Sequence, residues 1–173
     1  MQAQDAFFFE GQPSFEQYTT RNSQIPSNLI RCMDIDQNGY IWLGTFSGLT
    51  VYNGYEFKNY KIPETSFFSN LIQELKVDSR GWIWVIVRLG EDRIRHLYRF
   101  DPITEVFTLL SDEQLKIEEE WIGVGQIDED KEGNIWMTTQ KDVRRLHINS
   151  HELDDVETTI FTEKIFDEKV ESY

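Results

Sequence analysis

Apolar and polar residues alternate in short stretches along most of this chain, and three of these stretches are followed by nearly the same motif. Alternation with a period of two is typical of β-strands that bury one face. The motif D-x-x-G-x-I-W occurs at 36–42, 78–84 and 130–136, so successive motif tryptophans lie 42 and 52 residues apart. A unit that recurs at about this spacing predicts a repeat architecture.

Each repeat is predicted to contain four short strands, of which the second begins at the Ile-Trp of the motif. The first strands are predicted at 28–35, 70–77 and 122–127, and the last two of each repeat at 49–52 and 55–60, 97–100 and 105–110, and 143–148 and 156–161. Asn53-Gly54 is a strong hairpin signal between two of these stretches. Four short strands joined by tight turns and repeated in this way are typical of β-propeller blades.

The predicted fold is therefore all-β, with about three four-stranded antiparallel blades in an incomplete ring, because a propeller closes with at least about four blades. We expect an N-terminal segment at 1–24, blades at 25–62, 63–111 and 112–161, and a tail at 162–173. In the N-terminal segment, Phe7–Phe9 and Phe15–Tyr18 suggest an outer strand of a closing blade. The sequence of the tail does not distinguish a strand edge from a helix.

The residues shared by the three motifs have structural roles. Asp accepts hydrogen bonds from backbone two residues further on and Gly adopts positive φ, so together they close the turn between the first two strands. The Trp then fills the space between neighbouring blades. The three equivalent sets are Asp36, Gly39 and Trp42; Asp78, Gly81 and Trp84; and Asp130, Gly133 and Trp136.

Residues 34–41 and 128–135 also resemble the beginning of a calcium-binding EF-hand loop. The twelfth position of that loop should be a bidentate Glu, but it is Thr45 in one block and Thr139 in the other. The flanking residues are typical of strands and not of helices. We therefore predict no metal site, and the sequence suggests no cofactor.

Composition narrows the possible partners. Aromatic residues make up 14% of the 173 residues, which favours pleated, half-buried strands. The net charge of −14 opposes binding to nucleic acid or to an anionic membrane surface. Cys32 is the only cysteine, so neither an intrachain disulfide nor a Cys-based metal site is expected. Neither a membrane span nor a leader is recognisable, which fits a cytoplasmic protein or an exported one whose leader has been removed.

A longer pattern surrounds the motif in the first repeat. It comprises Phe15-x-x-Tyr18, Ile25-Pro-x-Asn28, Trp42-Leu-Gly44-Thr45-x-x-Gly48-Leu49 and Tyr52-x-Gly54-x-x-Phe57. This pattern resembles the two-component regulator propeller repeat, which builds the periplasmic sensor domains of hybrid two-component histidine kinases. The resemblance extends over about residues 15–161. The later repeats depart from it, with Ile86-Val87 and Leu89-Gly90, and with Thr138-Thr139 and Asp142-Val143, at the Gly-Thr and Gly-Leu elements.

This resemblance implies a ligand-sensing, and in particular carbohydrate-sensing, segment near the N-terminus of a much longer receptor. Such a receptor would lie in the periplasm, anchored in the inner membrane, and would carry its histidine kinase outside this chain. The resemblance also implies that further blades of the same receptor complete the ring and that the full-length receptor self-associates. The chain itself is expected to be non-catalytic.

Ligand contacts are expected where the repeats differ, in the loops at the end of the blades opposite the Asp-x-x-Gly turns. Aromatic faces and planar polar groups suit an oligosaccharide or another small ligand. The candidate residues are Phe46, Arg88, Arg93, Trp121, Gln140 and Lys141. Each has a structural alternative, since Trp121 also fits a core position and the arginines also fit surface ion pairs.

Two other functions compete with this hypothesis. Asp130–Trp136 also resembles the blades of streptogramin-type lyases, which use His and a metal, and the chain has three histidines, His96, His147 and His151. No catalytic triad order or phosphate-binding loop is present in the sequence. A propeller that binds only protein is the remaining alternative, and the sequence does not separate it from a sugar sensor.

Overall fold

The structure is a computed structural model, and it describes residues 15–63, 70–88, 95–117, 125–150 and 152–162. These ranges contain twelve strands in three sheets. Blade 1 consists of β1 (Ile30–Ile35), β2 (Ile41–Thr45), β3 (Gly48–Tyr52) and β4 (Phe57–Tyr60). Blade 2 consists of β5 (Leu71–Val77), β6 (Ile83–Arg88), β7 (Arg95–Asp101) and β8 (Val106–Leu109). Blade 3 consists of β9 (Ile127–Glu129), β10 (Ile135–Thr138), β11 (Val143–Ile148) and β12 (Val156–Phe161).

All three sheets have the same simple topology. Each strand pairs antiparallel with the next in sequence, so the order within every blade is the order along the chain. The first strands of the blades, β1, β5 and β9, lie side by side. The prediction of an all-β fold with three four-stranded antiparallel blades is confirmed.

Two apolar layers join the blades. The first contains Trp42 and Val51 of blade 1 together with Leu75, Ile83 and Val85 of blade 2. The second is formed in the same way, by Trp84, Ile86 and Leu97 of blade 2 with Ile127, Ile135 and Met137 of blade 3. In each layer the motif Trp of one blade packs on the aliphatic face of the following blade, as predicted for Trp42 and Trp84.

Several strand bounds differ from the prediction by one or two residues, among them the start of β4, and the first strand of blade 3 differs most. Tyr55 was expected to begin a strand, but it lies in a turn, because Asn53 Oδ1 accepts the backbone N–H groups of Tyr55 and Glu56, both at 2.9 Å. The first strand of blade 3 was expected at 122–127. Instead it is Ile127–Glu129, while residues 125–126 form no strand and residues 122–124 lie outside the described ranges.

Residues 15–18, which are expected to form an outer strand of a closing blade, form no strand within this chain. Its residues turn back at Thr19–Ser23, where Asn22 Oδ1 accepts the Thr19 N–H at 2.6 Å. Tyr18 instead packs against the rings of Tyr52 and Phe57 on blade 1. The contacts of Tyr18 hold this segment against blade 1, and Phe7–Phe9 lie outside the described residues.

A one-turn helix, α1 (Asp112–Leu115), joins blades 2 and 3 and was not predicted. Ser111 caps it, and Gln114 bonds back to the Ser111 backbone, which completes a capping box. Leu115 is buried in the layer between blades 2 and 3. The Ser-x-x-Gln spacing was the available signal for this helix.

Candidate functional site

Every blade carries the same hydrogen-bonded clip at its Asp-x-x-Gly turn. In blade 2, Asp78 Oδ1 accepts the backbone N–H of Arg80 at 3.0 Å and of Trp82 at 2.9 Å. Its other oxygen, Oδ2, accepts Nε1–H of Trp84 at 2.9 Å. One carboxylate therefore closes the turn and also fixes the tryptophan that packs between blades, a role for the motif Asp that the sequence analysis missed.

The clips of Asp36 and Asp130 have the same geometry. Asp36 Oδ2 accepts Nε1–H of Trp42 at 3.0 Å, and Asp130 Oδ2 accepts Nε1–H of Trp136 at 2.7 Å. The hydrogen bond from Trp136 is the largest cause that lowers the pKa of Asp130 to about 2. Gly39, Gly81 and Gly133 complete the three turns with φ of 80°, 85° and 79°. The predicted structural role of the motif agrees with this geometry.

The carboxylates of the EF-hand-like blocks are used within the protein. Asp36 is part of the clip, and Asp34 Oδ2 accepts the Val77 N–H of blade 2 at 2.9 Å. Within the described ranges, no group of three or more His, Cys, Asp or Glu side chains is arranged to hold a metal ion.

The opposite end of the blades carries the residues that were predicted to contact a ligand. Phe46 lies in the β2–β3 turn and is exposed. Thr45 orders this turn, since its Oγ1 donates to the Gly48 carbonyl and accepts the Ser47 N–H, both at 2.9 Å. In blade 3, Thr139 Oγ1 makes the corresponding contacts with Asp142 and accepts the Lys141 N–H. Gln140 and Lys141 are consequently displayed on an ordered turn, and both are exposed.

Arg88 is at the same end, at the last position of β6, and pairs across strands with Arg95 of β7. Arg95 is buried and its Nε–H donates to Gln73 Oε1. Burial lowers the pKa of Arg95, and the nearby charge of Arg88 lowers it further. Phe46, Arg88 and the Gln140–Lys141 pair thus lie at one end of the sheets, one group on each blade, whereas Arg93 and Trp121 lie outside the described residues.

A cleft of about 190 Å³ lies at the other end, beside the Asp-x-x-Gly turn of blade 1 and against the β7–β8 turn of blade 2. Aromatic, aliphatic and polar side chains line it: Tyr40, Trp42, Val51, Asn53, Glu56, Lys58, Tyr60 and Pro102. Trp42 and Tyr60 stack at 6.2 Å between ring centroids. None of the residues predicted to contact a ligand lines this cleft, although Tyr40 occupies a position where the three repeats differ.

Sequence comparison identifies the first of the three repeats. A family model described as "Two component regulator propeller" matches residues 24–47. This match covers β1, the clip and β2. Residues 24–47 therefore carry a two-component regulator propeller repeat signature. No curated protein is significantly similar to the whole chain in sequence.

Solved structures with similar folds support the blade assignment. The extracellular domain of the hybrid two component system BT3049 from B. thetaiotaomicron matches 87% of this chain with a TM-score of 0.60 and 24% identity. The corresponding domain of BT4673 matches 87% with a TM-score of 0.59 and 19% identity. Virginiamycin B lyase from Staphylococcus aureus matches 75% with a TM-score of 0.52 and 13% identity. At these identities the likeness shows the fold alone.

The chain spans only a small part of these structures, namely 19% of BT3049, 18% of BT4673 and 40% of the lyase. In the described part of the chain, no helix is long and apolar enough to cross a membrane.

Two glycines of the regulator propeller repeat are explained by close approaches. A Cβ at Gly44 would lie 2.6 Å from Cγ2 of Ile72, so this glycine lets β2 approach the first strand of blade 2. Gly48 has φ of 120°, and a Cβ there would clash with the Tyr60 carbonyl oxygen. The Leu-Gly-Thr-x-x-Gly-Leu element is therefore a packing and turn motif of blade 1.

Proposed function

We propose that this chain is a ligand-sensing propeller segment of a hybrid two-component receptor and that its ligand is a carbohydrate. The observation that carries the proposal is the regulator propeller repeat at residues 24–47, set in three blades of the kind found in extracellular domains of such systems. The chain acts by binding, and the receptor's kinase lies elsewhere in the protein. The receptor is periplasmic in its sensing part and anchored in the inner membrane.

The loops that carry Phe46, Arg88 and Gln140–Lys141, here called the ligand loops, support a carbohydrate as the ligand class. Phe46 offers an exposed aromatic face, while Arg88, Gln140 and Lys141 offer planar or charged donors at the same end of the sheets. This combination suits the apolar face and the hydroxyl groups of a sugar. Arg93 and Trp121 remain candidates on the basis of sequence.

Titration calorimetry of the receptor's sensing region with a panel of oligosaccharides tests the proposal. We expect heat with at least one glycan, and weaker binding by Phe46→Ala and Arg88→Ala. Lys131→Ala is the matched control, because Lys131 is exposed at the opposite end in the turn of blade 3. If no glycan gives heat, the carbohydrate proposal is wrong, although the fold stands.

We also propose that a further blade of the same receptor covers the free face of blade 1. Met33 and Leu75 occupy equivalent positions three residues before the motif Asp, yet Met33 is 58% exposed and Leu75 only 4%. Ile35 is likewise exposed, whereas its equivalent Val77 is buried. Because the face carrying Leu75 and Val77 packs on the Trp42 face of blade 1, the expected occupant is another blade that presents its Trp-bearing face. Self-association of the receptor would be a separate contact.

A further inference from the structure

We infer that the cleft between blades 1 and 2 binds a single neutral pyranose ring. The inference depends on the proposed function only for the ligand class, and it places a sugar at the end of the blades opposite the predicted ligand loops. Its geometry is complete within the described residues, since blade 1 supplies seven of the eight lining side chains and blade 2 supplies Pro102.

The lining of the cleft has the two features that a sugar ring requires. Tyr40 and Tyr60 supply aromatic surface for the C–H groups of a pyranose. Asn53 and Glu56 supply polar groups for its hydroxyls. Asn53 Oδ1 is already occupied by two backbone N–H groups, so its amide NH₂ is the part that can donate to a ligand. A mostly apolar site that includes aromatic rings and a few polar groups is typical of small-molecule recognition.

The opening is specific to this boundary between blades. Tyr40 lies four residues after the motif Asp and is 42% exposed, whereas the equivalent Trp82 of blade 2 is 5% exposed. Trp82 lies under the guanidinium of Arg99, 4.2 Å from its ring centroid, and shares an apolar cluster with Leu115 and Leu153. The same position is therefore sealed between blades 2 and 3 but open between blades 1 and 2. An opening that the repeat does not require is a candidate for function.

The charges around the cleft favour a neutral ligand over an acidic one. Lys58 is bonded to Glu105 of blade 2 across the boundary and lies 5.3 Å from the Tyr60 ring centroid. Glu105 holds this position with φ of 59°, a left-handed conformation that is unfavourable for a residue with a side chain. Since Glu105 balances Lys58, the carboxylate of Glu56 is uncompensated, and it would repel a uronic acid.

The size of the cleft limits the ligand. At about 190 Å³ it is smaller than the roughly 300–1,000 Å³ of sites for drug-sized ligands. It therefore accommodates one ring of a longer glycan or a free monosaccharide. With so few contacting atoms, a dissociation constant on the order of 1 mM is expected.

The test uses this chain, with amide NMR and tryptophan fluorescence as readouts, and methyl glycosides of glucose, galactose and mannose as probes. We expect one of them to shift the resonances of Tyr40 and the Asn53 side-chain amide, with methyl glucuronide at least about tenfold weaker. Tyr40→Ala should weaken binding at least about tenfold, and Tyr40→Phe by less than about threefold, because the ring provides most of the contact. Tyr55→Ala is the matched control, since Tyr55 is 95% exposed nearby and does not line the cleft.

Three outcomes would overturn the inference. If no methyl glycoside binds at about 10 mM, tenfold above the expected dissociation constant, the cleft is not a sugar site. If a glycoside binds equally well to Tyr40→Ala but not to Phe46→Ala, the sugar lies at the ligand loops, so the proposed function stands and the cleft assignment is wrong. If Tyr55→Ala weakens binding as much as Tyr40→Ala, the contact is not in the cleft. Unchanged chemical shifts far from residue 40 show that each variant is folded.

Discussion

Replacement of Asp78 by alanine is the sharpest test of the clip that holds the blades together. The substitution removes the acceptor of four N–H groups, from the backbones of Arg80 and Trp82, from the Trp84 indole and, at 3.5 Å, from the Arg80 guanidinium. Trp82 and Trp84 are buried, so two of these donors lose the Asp78 carboxylate at places that water does not reach. A buried unsatisfied donor costs about 1–3 kcal/mol, and we therefore expect Asp78→Ala to lower the free energy of unfolding by about 4 kcal/mol.

Asp36 provides the matched comparison, because its clip has the same geometry at a more exposed place. Its Oδ1 accepts the N–H groups of Asn38 and Tyr40, at 2.8 and 3.0 Å. Both residues are exposed, so water can replace the carboxylate there, and only the indole of the buried Trp42 loses its partner. We expect Asp36→Ala to cost about 1–2 kcal/mol, that is, at least about 2 kcal/mol less than Asp78→Ala.

Equilibrium urea unfolding, followed by tryptophan fluorescence and circular dichroism, measures both free energies. Asp78→Asn should fall between wild type and Asp78→Ala, since an amide oxygen still accepts hydrogen bonds while the NH₂ group does not. Equal losses for Asp36→Ala and Asp78→Ala, or a loss below about 1 kcal/mol for Asp78→Ala, would refute the argument that burial of the donors sets the cost.

Four further predictions follow from individual residues. Gly48→Ala should destabilise blade 1 by about 2 kcal/mol or more in urea unfolding, since the added methyl group meets the Tyr60 carbonyl at a positive φ. Burial raises the pKa of Cys32 to about 12, so a thiol reagent at pH 8 should label it only after unfolding, and labelling as fast as in urea would contradict this. The pKa of Asp130 is lowered to about 2, chiefly by the Trp136 indole. The ionised Asp130 carboxylate therefore stabilises the folded state above about pH 4, and this stabilisation is lost as the pH falls towards 2. The difference in melting temperature between wild type and Asp130→Asn should accordingly shrink over that interval. Met33→Lys should lower the free energy of unfolding of the receptor's whole sensing region but hardly that of this chain alone, where Met33 is 58% exposed, and equal losses in urea unfolding of the two would mean that no further blade covers the free face of blade 1.

The fold could be predicted because its signals are local and occur three times. The alternation of apolar residues and the Asp-x-x-Gly turn fix strand after strand, and the bounds of β11 and β12 agree with the sequence prediction. Errors arose where a side chain outweighed local propensity. Asn53 Oδ1 accepts the backbone N–H groups of Tyr55 and Glu56, and this turn keeps Tyr55 out of the predicted strand.

The candidate site was less accessible to sequence reasoning because its walls come from different strands and from two blades. Ligand contacts were predicted in the loops opposite the Asp-x-x-Gly turns, at positions where the repeats differ, and these loops contain Arg88 and Gln140. The turn that carries Tyr40 and the strand that carries Lys58 are of ordinary length, and Pro102 lies in a turn that the sequence predicts. Only the pairing of β3 with β4 and the packing of blade 1 on blade 2 bring these three residues to one cleft.

The position four residues after the motif Asp shows how such a repeat can acquire a site without losing its fold. The backbone N–H at this position donates to the motif carboxylate in all three blades, at 3.0, 2.9 and 2.9 Å. In every blade the turn therefore uses the backbone of this residue, whose side chain is Tyr40, Trp82 or Asn134, and only Asn134 adds a side-chain hydrogen bond to the motif carboxylate. This side chain lies at the boundary between blades. A different residue at this position therefore changes the surface that the boundary exposes to solvent, while the clip and the motif Trp continue to hold the sheets together.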